Sequence, residues 1–324
     1  MDFKYKFVVD RNARGFLSKN GNVNEQGLNL DGELIPSQFI RNTSAADSRL
    51  LITVSNKNKL GPNTQKHIDN RNSIVLEVSK ADVDLLEKVI DRQTSSIHAE
   101  QSRQALEAKG EGSRFKASMC PHCEATIELT NFKPGQYTYC KYCESFFDQS
   151  NTVVTNGDTE KICGSCTMFD TVDNYTVFYF YFLIVRIGFV TSKKHFCNQC
   201  AKSKAKKALL INLPFILGIV PAIRMWAKAS SSDRKGMKGL AKANAQATKG
   251  KYEAADLIYN EILTQYHNHP AVLRNMALGH LNGGDDAGYH QILQQSLSSA
   301  PNYSPSVILT KPILNRQATN AKNN

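Results

Sequence analysis

The chain has 324 residues, 41% of them hydrophobic and 21% charged, with a net charge of +11. That length suggests two or three domains, each able to bury a modest core. No phosphate-binding Walker loop, His-Glu-x-x-His pair or nucleophile elbow occurs and the histidines are scattered, so the chain is expected not to be an enzyme. The opening "MDFKYKFVVDRNARG" is mixed and charged, without the apolar run of a signal peptide, so the chain is expected to start in the cytoplasm.

Residues 1–108 read as one domain. "YKFVV", "GFLSK", "GLNL", "ELIP", "RLLITVS" and "SIVLEVS" are short β-type runs separated by turn residues. Asp31-Gly32 marks a hairpin between the third and fourth of them. After Lys80 the period changes. Val83, Leu86 and Ile90 fall at helical spacing, with Ser79 as the expected cap and Gly110 as the stop. Several strands closed by one helix resemble the pleckstrin-homology-like architecture. Residues 107–118 read as a polar linker.

All eight cysteines fall in four Cys-x-x-Cys pairs, and such paired spacing points to metal rather than to a disulfide framework. Residues 109–150 contain Cys120-x2-Cys123-x16-Cys140-x2-Cys143, the spacing of a four-cysteine zinc site. The stretch between the pairs reads as a hairpin with Pro134-Gly135 at its tip. The motif resembles a zinc ribbon of the rubredoxin type, in which iron could take the same sulfurs but zinc is expected. His122 reads as a solvated bystander.

Residues 160–203 contain the second set, Cys163-x2-Cys166-x30-Cys197-x2-Cys200. The two sets predict two Zn2+ per chain. The long spacer carries "YTVFYFYFLIVRIGFV", whose aromatic and β-branched residues suit long strands, and it is expected to form an extended hairpin arm. If one ion ties both pairs together, this arm cannot cross a bilayer once, and its 16 residues are too short for a helical span.

Residues 204–228 read as a basic and apolar membrane-associating segment. From Lys193 to Lys251 there are fourteen basic residues and one acid, Asp233, a local net charge of +13. Such a stretch attracts polyanions, either lipid head groups or nucleic acid. Inside it lies the uncharged run Ala208–Ile223, broken by Pro214 and Pro221 and followed by Arg224 and Trp226. Basic residues on both flanks predict a segment that enters one leaflet and returns rather than spans. A cysteine pair, an aromatic insertion, a second pair and a basic, proline-broken apolar run, over about Ile162–Trp226, resemble a group of bacterial zinc-ribbon membrane proteins. The resemblance implies metal binding and membrane association, and no reaction.

Residues 235–314 show a 34-residue internal offset: Ala243 with Ala277, Gly250 with Gly284, Tyr259 with Leu293, and Leu263 with Leu297. That is the period of tetratricopeptide helix pairs, which this region resembles, and "SPSVILTKPIL" reads as a capping helix. Residues 315–324 read as a disordered tail.

The expected whole is a multidomain α+β chain: a β-rich domain with a closing helix, two zinc ribbons, an apolar membrane-proximal segment and helical repeats. The expected function is that of a non-enzymatic, membrane-associated zinc-binding scaffold on the cytoplasmic face. Its partners would be a protein bound through the C-terminal repeats and an anionic membrane surface. A soluble zinc-ribbon protein that holds nucleic acid through residues 193–251 is the alternative.

Overall fold

A computed structural model describes residues 1–9, 12–13, 17–46, 48–79, 82–183, 186–212, 216–231 and 236–310. The expected tail, 315–324, and Leu213–Phe215 of the apolar run lie outside the described residues. The architecture is mixed α+β, and its contacts divide it into Met1–Asn131 and Phe132–Asn324.

The first unit opens with β1 (Asp2–Val9), β2 (Asn12–Ala13), β3 (Lys19–Asn24), β4 (Gly27–Leu30) and β5 (Glu33–Pro36). It continues with β6 (Ile40–Ala46), β7 (Arg49–Val54), the short α1 (Pro62–Gln65), β8 (Ser73–Val78) and α2 (Val83–Glu107). The strands pair antiparallel in the order β5-β4-β3-β1-β8-β7-β6, with β2 on β1. Two meanders thus grow outward from β1, and β5 and β6 end on opposite edges. Only Ser37–Phe39 joins those edges. Such a link reaches at most about 14 Å, whereas six flat strand spacings would need about 29 Å. The sheet therefore curls. Helix α2 packs against β4, β6, β7 and the Ser37–Phe39 turn, elements from both edges, and buries Val83, Leu86 and Ile90 on the sheet's inner face with Leu28, Leu30, Ile35, Leu50, Ile52 and Leu76.

Asp31 and Gly32 both take positive φ, 55° and 77°, in the two-residue turn that pairs Leu30 with Glu33, as the sequence predicts. The closing helix also lies where its period places it. Its expected cap differs: Asp82 stands at the N-cap, and Ser79 lends its carbonyl to the Asp82 and Val83 amides at 3.0 and 3.1 Å. β3, "KNGNVN", and β6, "IRNTSAA", carry too few apolar residues to announce themselves; β3 begins at Lys19, the last residue of the expected "GFLSK" run.

Beyond α2, β9 (Ala117–Met119) pairs with β10 (Thr126–Glu128), and β11 (Tyr137–Tyr139), β12 (Phe146–Asp148) and β13 (Val153–Thr155) form a three-stranded sheet. β14 (Glu160–Ile162), β15 (Phe169–Leu183) and β16 (Arg186–Cys197) form another. β15 and β16 pair from Val172↔Cys197 to Leu183↔Arg186, so the long spacer is the extended hairpin that its composition predicts. At its base, Val172, Tyr175 and Phe196 pack against Ala201 and Ala205 of α3 (Asn198–Asn212) and Met225 and Ala229 of α4 (Ile216–Ser231).

The chain then folds into α5 (Leu240–Ala247), α6 (Tyr252–Gln265), α7 (Pro270–Gly283) and α8 (Asp286–Ser299), with residues 304–310 also helical. The 34-residue offset carries α5–α6 onto α7–α8. Ala243 and Ala277 are both fully buried, and Gly250 and Gly284 both turn the chain with positive φ, 72° and 83°. Among the described residues, no helix is long and apolar enough to cross a membrane.

Candidate metal centres

Three of the four cysteine pairs make the same turn. Cys120 N donates to Ala125 O, Cys140 N to Ser145 O and Cys163 N to Met168 O, at 2.9, 2.9 and 2.8 Å. Four residues after each first cysteine the amide returns to that cysteine's carbonyl: Glu124 to Cys120 at 2.9 Å, Glu144 to Cys140 at 2.8 Å and Thr167 to Cys163 at 3.0 Å. Those three residues take left-handed φ of 61°, 60° and 60°. The first two turns each sit in a hairpin of their own, β9–β10 and β11–β12. The strands therefore flank the knuckles, and the hairpin expected across Pro134-Gly135 is replaced by two shorter ones. Gly157 seals the second knuckle. A methyl group there would collide with the Cys143 carbonyl, and its amide donates to Ser145 Oγ at 3.0 Å.

The fourth pair is built differently. Cys197 ends β16 and Cys200 lies in the first turn of α3. The second centre therefore joins one knuckle to a strand-to-helix junction, a departure from two matching ribbon turns. The helix start suits a thiolate, because unpaired amides and the positive end of the helix dipole gather there.

The sulfurs meet in two groups, Cys120/Cys123/Cys140/Cys143 and Cys163/Cys166/Cys197/Cys200, and within each group all four lie within 4.8 Å of one another. In each, the first cysteine of a pair is buried and the second half-buried. No disulfide joins any of them. A tetrahedral zinc thiolate site needs sulfurs about 3.8 Å apart for bonds of about 2.3 Å, and Cys166 and Cys197 stand 3.9 Å apart. Four sulfur donors without a carboxylate suit zinc and leave no coordination position for a reacting water. Each group could hold a zinc ion, two per chain. His122 belongs to neither group.

The second centre is electrostatically tense. Hydrogen bonds from Cys166, then Cys197 and Cys200, hold Cys163 well below the usual thiol range, while sharing with Cys163 and then Cys166 pushes Cys197 far up. Four packed thiols tolerate little negative charge, and a divalent cation removes that restriction. Cys197 N also donates to Cys163 Sγ at 3.3 Å.

Asparagines in the C-terminal region hold the knuckle strands. Asn302 grips Tyr139 on both sides of its backbone: Oδ1 accepts from Tyr139 N at 3.0 Å, and Nδ2 donates to Tyr139 O at 2.8 Å. Tyr139 directly precedes Cys140. At the second centre Asn275 does the same to Phe169, accepting from its N at 2.8 Å and donating to its O at 2.6 Å. Asn244 Nδ2 adds bonds to Phe169 O and Asp170 Oδ2, both at 3.0 Å, and its Oδ1 accepts from Tyr259 Oη at 2.7 Å and Asn275 Nδ2 at 2.9 Å. Arg274, almost fully buried, donates to the carbonyl of Thr167 at 2.8 Å. Burial pushes the Asp170 carboxyl up to about 6, against the opposing bonds from Asn244 and Thr171 N. Around these contacts Met168, Phe169, Tyr139, Phe146 and Tyr303 share one core with Leu240, Ala243, Tyr259 and Ala271.

All eight cysteines are legible from spacing; the asparagine clamp is not. Its one sequence signal is polar Asn244 and Asn275 inside helices, where asparagine is a poor helix former and needs a reason. No protein-family profile, curated protein or solved structure matches the chain.

Proposed function

We propose that this is a non-enzymatic zinc-binding scaffold that docks on an anionic membrane surface through α3 and α4 and engages a protein partner through its C-terminal helices. The observation that carries the membrane part is a helix pair with an apolar outer face. α3 turns Ala201, Ala205 and Ala208 inward, and α4 turns Ala222, Met225 and Ala229 inward. Four large apolar side chains face out: Leu210 is 68% exposed, Ile211 and Ile223 each 51%, and Trp226 45%. In water large apolar side chains belong inside, so an apolar outer face calls for cover. Exposed Lys206, Lys207 and Arg224 stand beside it, the arrangement of a helix lying in a lipid interface with its cations at the head groups.

The two offset helix pairs support the partner-binding part, on our reading of them as tetratricopeptide-like. Its inner face is filled by Met168 and Phe169, so a partner takes the outward faces, where Leu257 and Leu281 are exposed. The curled sheet closed by α2 suits the pleckstrin-homology-like reading of the first unit. The scaffold would work on the cytoplasmic face.

Flotation with vesicles of phosphatidylserine and phosphatidylcholine tests the membrane reading. Each fully buried apolar side chain contributes about 1.5–3 kcal/mol, and each lysine near an anionic surface about 1 kcal/mol. Replacing Leu210, Ile211, Ile223 and Trp226 together with serine should abolish flotation at any salt. Lys206→Gln with Lys207→Gln should weaken it at low salt only. A wild-type chain that never floats, yet is retained on DNA or RNA with a steep salt dependence, would replace this reading with the nucleic-acid one.

A further inference from the structure

We propose that metal occupancy gates the C-terminal helices: with both four-cysteine groups metallated, the knuckle strands close the inner face of α5 and α7, and loss of metal releases it. The observation is the pair of two-point asparagine grips. Asn302 holds Tyr139, the neighbour of Cys140, and Asn275 holds Phe169, three residues past Cys166. The segments that the asparagines grip are short or lie next to a knuckle. β11 and β12 have three residues each, and Phe169, the first residue of β15, pairs across the Cys163 knuckle with Ile162 of the three-residue β14, before the long β15–β16 pairing begins at Val172. A structural zinc site supplies the folding energy of such a knuckle, so metal loss removes the very backbone that the asparagines bind.

The face left behind is poorly suited to water. Met168 and Phe169 are each 1% exposed, and the α5 and α7 residues Leu240, Ala243 and Ala271 are buried in the same core. Asn275, itself fully buried, would lose both bonds to Phe169, and Arg274 its bond to Thr167. The helices therefore read the state of the metal centres through backbone geometry, without supplying a ligand. Linkage makes the effect mutual: if metal orders the helices, the helices slow metal loss by the same coupling. The two grips hold different knuckle strands of one core, so each should act most on its own ion.

Hydrogen exchange on the full-length, metal-loaded chain before and after chelation by EDTA tests the first half, with metal content measured in parallel. Amides of α5 and α7 should lose about a hundredfold or more of their protection, while β8, inside the first unit's own core, keeps its protection. Release of zinc to a chromophoric chelator tests the second half. Asn275→Ala should speed the departure of one ion per chain by about tenfold or more, the equivalent of the lost buried bonds. Asn302→Ala should speed the other. Undiminished α5 and α7 protection after both ions are gone would overturn the proposal. So would wild-type release rates in both variants, or a variant that speeds both ions equally, which marks general destabilisation.

Discussion

The N-terminal sheet and the C-terminal region reach a buried core by opposite means. The sheet does it with aliphatic alternation: Leu28, Leu30, Ile35, Leu50, Ile52, Ile74 and Leu76 are all fully buried, and α2 adds Val83, Leu86 and Ile90. The C-terminal region buries few aliphatics around its knuckles. Its core joins aromatics, Tyr137, Tyr139, Phe146, Phe169, Tyr259 and Tyr303, to alanines, and polar groups run through it. The first kind of core loses stability gradually as methylenes are removed. The second holds backbone geometry through buried polar groups, and should fail more abruptly when one of them goes.

The sharpest break is at a metal ligand. Cys163→Ser or Cys140→Ser should each cost one zinc ion and unfold the affected knuckle, because apparent binding energies of structural zinc run to about 10–16 kcal/mol. Elemental analysis should fall from two metals to one. The N-terminal sheet, followed by exchange of its strand amides, should be unchanged. A metal content below one in the wild-type chain would refute the two-site assignment.

Leu28→Ala is the converse test. Removing a fully buried side chain from the sheet should cost about 2–5 kcal/mol and leave two metals bound. A loss of metal in this variant would end the contrast between the regions.

Two histidines sharpen it through pH. His269, at the start of α7, is fully buried among Phe146, Phe169 and Tyr137, and its Nδ1 has no hydrogen-bond partner among the described residues. Burial pushes it down to about 3. Protonation therefore favours the unfolded chain: its contribution is complete above about pH 6.5 and falls away toward pH 3, by up to about 1.4 kcal/mol per pH unit. His280, near the other end of α7, is clamped by Asp285 at 2.7 Å and Asp256 at 2.8 Å. Burial opposes its charge, but the bonds it donates to Asp285 and Asp256 win and hold it above the usual histidine range. Its contribution is complete below about pH 6.5 and is lost as pH rises through the raised folded value. Denaturant unfolding across pH should show a weaker acid slope in His269→Gln and a weaker alkaline slope in His280→Gln. Identical profiles would remove both assignments.

The smallest effect belongs to Gly288. A methyl group there would strike Asp285 Oδ2 and His280 Nδ1, so Gly288→Ala should cost about 1–3 kcal/mol despite the gain in helix propensity. That clamp explains why glycine occupies this helical position. A stabilised variant in thermal unfolding would contradict it.

Legibility follows the range of the interaction. The Asp31-Gly32 turn, the α2 face and the long β15–β16 pairing are local patterns, and the sequence predicts each one. The 34-residue offset also survives as geometry, since equivalent positions must meet equivalent neighbours. β3 and β6 stay hidden because polar residues can complete a ladder whose partner strands supply the apolar face. The Cys197 pair reads as a knuckle because two such pairs look alike in sequence; the helix that begins at Asn198 decides otherwise.

By itself the sequence determined the eight candidate ligands, which fall into the two four-cysteine groups that could each hold a zinc ion, because thiolate chemistry and Cys-x-x-Cys spacing are local. It also determined the basic charge around α3 and the unusual apolar run beside it. Only the tertiary structure decided which face of that run turns outward, since alanine and leucine both count as apolar until packing separates them. Only the tertiary structure brought Asn275 to Phe169 and Asn302 to Tyr139, across 106 and 163 residues of chain. Contacts at that range carry no period and no spacing. They exist because buried backbone amides and carbonyls must find partners, and the fold offered these asparagines.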